Sequence, residues 1–92
     1  MKWKGGKLRR GLAELLELPK EVVLDLPKLT LIGNFELYIE NHKGLIEYTS
    51  ERLRIGTSSG ELVILGSRLG IAHIFRDSIG VEGVISGIEF RT

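Results

Sequence analysis

The sequence predicts a mainly β protein of one small domain, with about eight short strands behind a short amphipathic helix. Three observations lead to this prediction: apolar residues alternate with a period of two from residue 29 onward, glycine-rich turn clusters separate the alternating segments, and leucines near the N-terminus have helical spacing. The 92 residues suffice for one modest core. We expect residues 1–18 to form a basic helical arm and residues 19–92 to form the β-domain.

The helical pattern lies in the N-terminal arm. Four leucines follow the spacing i, i+4, i+7 and i+8, which places them on one stripe of a helix. They are Leu8, Leu12, Leu15 and Leu16. Pro19 pushes the preceding residue out of the α region, so we predict a helix over residues 7–17. Gly11 weakens this helix by about 1 kcal/mol relative to alanine, so the helix needs a surface on which to dock.

Basic charge is concentrated in the same arm. Residues 1–10 carry five of the 13 Lys and Arg residues and none of the 12 acidic residues, whereas residues 11–92 carry eight basic and twelve acidic residues. The residues of interest are Lys2, Trp3, Lys4, Lys7, Arg9 and Arg10. This combination can lie on an anionic membrane surface or contact an acidic partner. The alternative is a solubilising tail followed by a helix that packs on its own sheet.

The β-domain repeats a unit of two apolar residues separated by one other residue, a pattern typical of half-buried strands. The pairs are Leu29/Leu31, Leu37/Ile39, Ile46/Tyr48, Leu53/Ile55, Leu62/Ile64, Leu69/Ile71, Ile79/Val81 and Ile88/Phe90. Turn clusters lie at residues 33–34, 41–44, 57–60, 66–67 and 76–78. The Gly-Asn and Gly-Ser turns at residues 33–34 and 66–67 predict hairpins, because glycine supplies the positive φ of a tight turn.

Two architectures are compatible with these strands. An antiparallel meander that curls into a barrel or sandwich would join them by hairpins. A parallel β-solenoid with rungs of about sixteen residues is the alternative, since Leu37, Leu53 and Leu69 are sixteen residues apart. The tight Gly-Ser turn favours the meander.

The composition restricts the cellular setting. The absence of cysteine excludes disulfides and thiolate metal sites and fits a reducing cytosol. No apolar run approaches the roughly 20 residues of a membrane-spanning helix. Charged residues such as Arg9, Arg10 and Glu14 interrupt the region where a signal peptide would need an apolar run. We expect a cytoplasmic protein with peripheral membrane contacts.

The sequence offers no set of residues that points to a catalytic, cofactor or metal site. His42 and His73 stand thirty-one residues apart, and neither has a second ligand at metal-site spacing. Ser58 and Ser59 lie in the polar, turn-like segment of residues 57–60, which we interpret as a loop and not as a nucleophile site. Asp25 is expected to cap a helix or turn near Pro27. We therefore expect no enzymatic activity, no cofactor and no metal site.

Several segments resemble the YabP/YqfC family of sporulation proteins, and most of all its YqfC branch. The most specific are residues 18–27 (LPKEVVLDLP) and 37–44 (LYIENHKG), and the likeness covers nearly the whole chain. The resemblance implies a role in endospore formation in a spore-forming Gram-positive bacterium. It also implies action in the mother cell with a membrane protein, YqfD, as the partner. It implies no catalytic residue, cofactor or substrate.

We therefore expect a non-enzymatic adaptor or assembly module at the forespore membrane. The candidate contact residues are Lys2, Trp3, Lys4, Lys7, Arg9 and Arg10 in the arm and Asn41, His42 and Lys43 in a loop, where Asn41 and Gly44 suit a turn equally well. The alternative is a homo-oligomer that assembles into a filament or coat layer. A nucleic-acid-binding regulator is disfavoured, because the body is acidic and Trp3 is the only aromatic residue in the arm.

Overall fold

A computed structural model of the chain describes residues 24–92. The predicted helix and the basic residues of the arm lie outside this range, and the division of the chain at residue 18 stays a prediction. The strands of the described part are β1 (Lys28–Ile32), β2 (Glu36–Glu40), β3 (Gly44–Tyr48), β4 (Arg52–Thr57), β5 (Gly60–Ile74) and β6 (Ser78–Arg91).

The strands form one open antiparallel sheet in the order β1-β2-β6-β5-β4-β3. Strands β3 to β6 make a meander of successive hairpins, as predicted, while the β1–β2 hairpin joins the sheet on the far side of β6. Every strand pair is antiparallel, so the alternative of a parallel solenoid is wrong. The sixteen-residue spacing is therefore not the period of a solenoid rung.

The described residues contain six strands instead of about eight because β5 and β6 each join two of the predicted strands. The Gly66-Ser67 segment, predicted to be a hairpin turn, lies inside β5. The register between β5 and β6 shifts beside it, which marks β-bulges that bend a continuing strand. A Cβ atom on Gly66 would collide with the carbonyl oxygen of Val84. The close approach of β6, and not a turn, therefore explains this glycine.

These bulges let the sheet fold back on itself. One half contains β1, β2 and the hairpin end of β5 and β6, and the other contains β3, β4 and the opposite ends of β5 and β6. Both halves contribute to one buried cluster. Its members are Leu37, Ile39, Leu53, Ile55, Leu62, Ile64, Leu69, Ile79, Val81 and Ile85. All of them except Ile85 belong to the predicted alternating pairs.

Strand β3 departs from the predicted alternation. A register shift inside it pairs Leu45 with Ile55 and Tyr48 with Leu53, and both partners are core residues. Paired residues point to the same face of a sheet, so Leu45 and Tyr48 lie on the core side. The prediction that Ile46 shares this side is wrong, because the bulge adds one residue at that point.

Candidate interaction face

An aromatic row crosses the outer face of the half that contains β2. The strand register places Tyr38 opposite Gly80 and Gly80 opposite His73. The ring of His73 stacks against Tyr38, with centroids 6.1 Å apart, and against Phe75, with centroids 4.9 Å apart. We call this surface, with Tyr38, His73 and Phe75 at its centre, the aromatic face.

Gly80 is the floor of the aromatic face. A Cβ atom at this position would lie 2.5 Å from Nδ1 of His73, so the imidazole ring rests directly on the glycine backbone. An aromatic ring commonly covers a strand glycine in this way, because the glycine leaves its backbone open. Beside the row is a shallow cavity of about 370 Å³. Its lining residues are Thr30, Tyr38, Glu40, His73, Ser78 and Ile79.

Acidic side chains border the aromatic face. Glu36 on β2 lies directly opposite Glu82 on β6, an arrangement that is unfavourable because like charges repel each other. Neither carboxylate forms an ion pair with any residue between 24 and 92. The Tyr38 hydroxyl donates a hydrogen bond of 2.6 Å to Oε2 of Glu36. This hydrogen bond, assisted by the negative charges of Glu36 and Glu82, raises the pKa of Tyr38.

His42, one of the predicted contact residues, supports this face from inside the fold. It is only 7% exposed. Its Nδ1 atom accepts a hydrogen bond of 2.9 Å from the N–H of Gly44. Its Nε2 atom is then left to donate to the carbonyl oxygen of Phe75, at 3.2 Å. The loop after β2 is thereby tied to the end of β5, where the aromatic face ends.

Asn41 and Lys43 tie the same loop to the segment before β1. The Asn41 amide donates to Oδ1 of Asp25 and to the carbonyl oxygen of Leu26, both at 3.0 Å. Nζ of Lys43 lies 3.2 Å from the same Asp25 oxygen. The hydrogen bond from Asn41, and after it that from Lys43, lowers the pKa of Asp25. Asp25 lies in a turn, as expected, but its carboxylate joins two segments instead of capping one.

Only three of the predicted contact residues lie in the described part of the chain. Asn41, His42 and Lys43 are brought together as a junction inside the chain, and their contact with a partner stays a prediction. The arm residues Lys2, Trp3, Lys4, Lys7, Arg9 and Arg10 lie outside the described range. Sequence reasoning missed the aromatic face, although one signal was available: Tyr38 is an aromatic residue at an outward position between the inward-facing Leu37 and Ile39.

The described residues offer side chains suited to binding at a surface. Between residues 24 and 92, no group of three or more His, Asp and Glu side chains is placed to hold a metal ion. The same residues include no helix long and apolar enough to span a membrane. The aromatic face offers flat rings and carboxylate acceptors, which suit a cationic side chain.

Comparison with known proteins agrees with the resemblance noted in the sequence. The model of the YabP family matches residues 25–92, which is well over half of the chain. The chain is also 32% identical over 84 residues to the uncharacterized protein YqfC of Bacillus subtilis (strain 168), with 91% of this chain and 90% of the relative covered. The protein therefore belongs to the YabP/YqfC family.

Proposed function

We propose that this protein is a non-enzymatic adaptor of endospore formation, and that its aromatic face binds a basic segment of a protein partner. Membership of the YabP/YqfC family supports the biological process. The molecular role rests on one observation: the stacked aromatic side chains lie beside acidic residues that have no cation paired with them in the described part of the chain.

Aromatic side chains at this position favour protein binding over a purely structural role. Phe75 is 62% exposed, and Tyr38 is also exposed. Tyrosine and phenylalanine are enriched in protein interfaces, because they bury a large area with few rotatable bonds. A lysine or arginine brought by a partner would relieve the repulsion between Glu36 and Glu82 and could stack on the Tyr38 ring.

The resemblance to the YqfC branch points to the membrane protein YqfD as the partner. Binding would then occur in the mother-cell cytoplasm, at the surface of the forespore membrane. The arm would supply a second contact through Lys2, Trp3, Lys4, Lys7, Arg9 and Arg10. Each basic residue near an anionic membrane surface contributes on the order of 1 kcal/mol, so five of them would hold the domain weakly.

A pull-down from sporulating cells tests the role of the face. The double variant Glu36→Lys/Glu82→Lys reverses its charge, and Glu51→Lys/Glu89→Lys changes the net charge equally at positions away from the aromatic row. We expect the unaltered chain and the second variant to capture the same membrane protein, and the first variant to lose it. Thermal unfolding followed by circular dichroism controls for the fold of both variants.

Equal capture of that protein by both double variants would contradict the assignment of the aromatic face.

A self-assembling structural protein is the second candidate, because β1 and β3 end the sheet and each has one edge without a strand partner among residues 24–92. Such edges can pair with another copy. Sedimentation at micromolar concentration distinguishes the two roles, since an adaptor stays monomeric or dimeric while a structural protein forms larger assemblies.

A further inference from the structure

A second apolar region lies where the folded sheet is open, between β1 and the C-terminal part of β6. Within the described residues, β1 pairs only with β2, and β6 beyond Ile85 pairs only with β5. The turn after β1 contacts one end of this part of β6, because the Ile85 N–H donates to the carbonyl oxygen of Asn34 at 2.8 Å. Leu26, just before β1, shares a cavity of about 200 Å³ with Phe90 at the other end. We call this opening the seam.

The side chains along the seam belong to the core face of the sheet. Leu31 pairs with the buried Leu37, and Phe90 pairs with the buried Leu62, so both point toward the core layer. Yet Leu31 is 50% exposed and Phe90 is 69% exposed. Leu29 and Ile88 also line this layer, packed against the core but only partly buried. Within the described residues, apolar side chains at the margin of the core are therefore exposed along the seam.

We propose that the leucine stripe of the N-terminal arm packs into the seam and completes the core. The first argument is the path of the chain. Residues 1–23 precede the described part, and the chain enters that part at Leu24 and Leu26, the second of which lines the seam cavity. The segment with the leucine stripe is thus tethered beside the apolar surface, and the tether gives it a high effective concentration there.

The second argument is length. A helix over residues 7–17 is about 16 Å long at about 1.5 Å per residue. The five-residue strand β1 has nearly the same length, about 16 Å at about 3.3 Å per residue. Residues 18–23 can span up to about 20 Å when extended, enough to bring the helix back along β1.

The third argument is chemistry. Leu8, Leu12, Leu15 and Leu16 supply an apolar stripe to a seam that presents apolar side chains. A helix of this length is marginal on its own and gains most of its stability from packing. In such a helix Arg10 would lie opposite the leucine stripe and point away from the sheet, while Arg9 would lie at the margin of the stripe. The inference is independent of the proposed function, and it leaves the basic residues available to a membrane surface.

Paramagnetic relaxation measured by NMR tests the packing in the full-length chain. The protein has no cysteine, so Thr92→Cys provides a single attachment point for a nitroxide at the rim of the seam cavity. We expect the amide peaks of Leu12, Leu15 and Leu16 to lose intensity. Adding Leu12→Asp and Leu15→Asp to the Thr92→Cys chain should restore the intensity, while the peaks of the sheet keep their positions.

Two results would overturn the inference. In the first, the nitroxide at residue 92 leaves the arm peaks at full intensity. In the second, an isotope-labelled chain without nitroxide is mixed with an unlabelled chain that carries the nitroxide, and the arm peaks weaken only in this mixture. That result would mean that the arm of one copy packs into the seam of another.

Discussion

The two outer faces of the folded sheet carry their charges in opposite ways. On the face formed by β3, β4 and β5, the charges are paired: Arg54 makes two hydrogen bonds to Glu61, at 2.9 and 2.8 Å, and Arg52 donates to Glu47 at 2.8 Å. On the aromatic face, Glu36 lies opposite another carboxylate. The first face, which we call the paired face, neutralises its own charges, whereas the carboxylates of the second have no cation paired with them among residues 24–92.

Val63 shows how completely the first face is closed. It lies on the outer side of β5, opposite Arg54 on one neighbouring strand and Glu89 on the other, and yet it is fully buried. Long charged side chains can cover apolar surface with their stems while their heads stay in water. On the aromatic face the corresponding floor is a glycine covered by one imidazole ring. We therefore expect substitutions on the paired face to alter stability and substitutions on the aromatic face to alter binding.

The largest expected change in stability is an exception to this rule, at Gly80. Gly80→Ala would place a methyl group inside the space of the His73 ring and force that ring to move. Moving the ring breaks its stacking contacts with Tyr38 and Phe75, which costs about 2 kcal/mol at roughly 1 kcal/mol for each contact. Chemical denaturation measures the loss. Gly87→Ala is the matched control, because a Cβ atom there meets its nearest neighbour at an ordinary 3.8 Å. Equal effects of the two variants would contradict the close packing of His73.

The next largest effect is expected at the centre of the paired face. Val63→Ala removes two buried methyl groups and should lower the free energy of unfolding by about 1.5 kcal/mol. The control is Val84→Ala, whose side chain is 42% exposed and which should cost no more than about 0.5 kcal/mol. Denaturant midpoints measured for both variants give the two losses in the free energy of unfolding. A loss at Val84 equal to that at Val63 would show that the charged side chains do not bury Val63.

Acid should weaken the paired face. The hydrogen bonds from Arg54, followed by the charges of Arg54 and Arg91, lower the pKa of Glu61 below its ordinary value of 4.5. Glu61 therefore adds stability that is present above pH 4.5 and is lost as the pH falls through the lowered pKa. Unfolding midpoints measured from neutral to acid pH should fall less steeply for Glu61→Gln than for the unaltered chain. Identical slopes would refute this contribution.

The smallest expected effect is at alkaline pH, on the aromatic face. Because Glu36 accepts the hydrogen bond of Tyr38, the phenol should ionise above its ordinary pKa of 10.0. The stability that this hydrogen bond adds is present below pH 10.0 and is lost as the pH rises through the raised pKa of Tyr38. In a Tyr48→Phe background, the absorbance of tyrosinate reports Tyr38 alone. Glu36→Gln should shift this titration to lower pH, and an unchanged midpoint would contradict the hydrogen bond.

The core could be predicted from the sequence because apolar alternation is a local property. Pairs such as Leu37/Ile39 and Leu53/Ile55 need no knowledge of the rest of the chain to be assigned to a buried face. Gly66-Ser67 could not be assigned in this way, because glycine and serine suit both a hairpin turn and a bulge. Whether this segment forms a turn or a bulge depends on the length of the partner strand β6.

The aromatic face could not be predicted because it depends on strand register. Tyr38 and His73 are thirty-five residues apart in the sequence and come together only because both flank Gly80. The junction at His42 is similar, since its partner Phe75 belongs to a different hairpin. The function of each residue in these sites depends on contacts between distant segments.

The acidic pair on the aromatic face also has a consequence for orientation. An anionic bilayer repels Glu36 and Glu82 and thus exerts a torque on a domain that approaches it, within a screening length of about 8 Å in physiological salt. The torque turns the aromatic face away from the lipid headgroups and toward the aqueous side. A domain held at the membrane would in this way present its aromatic rings to the aqueous segments of neighbouring proteins.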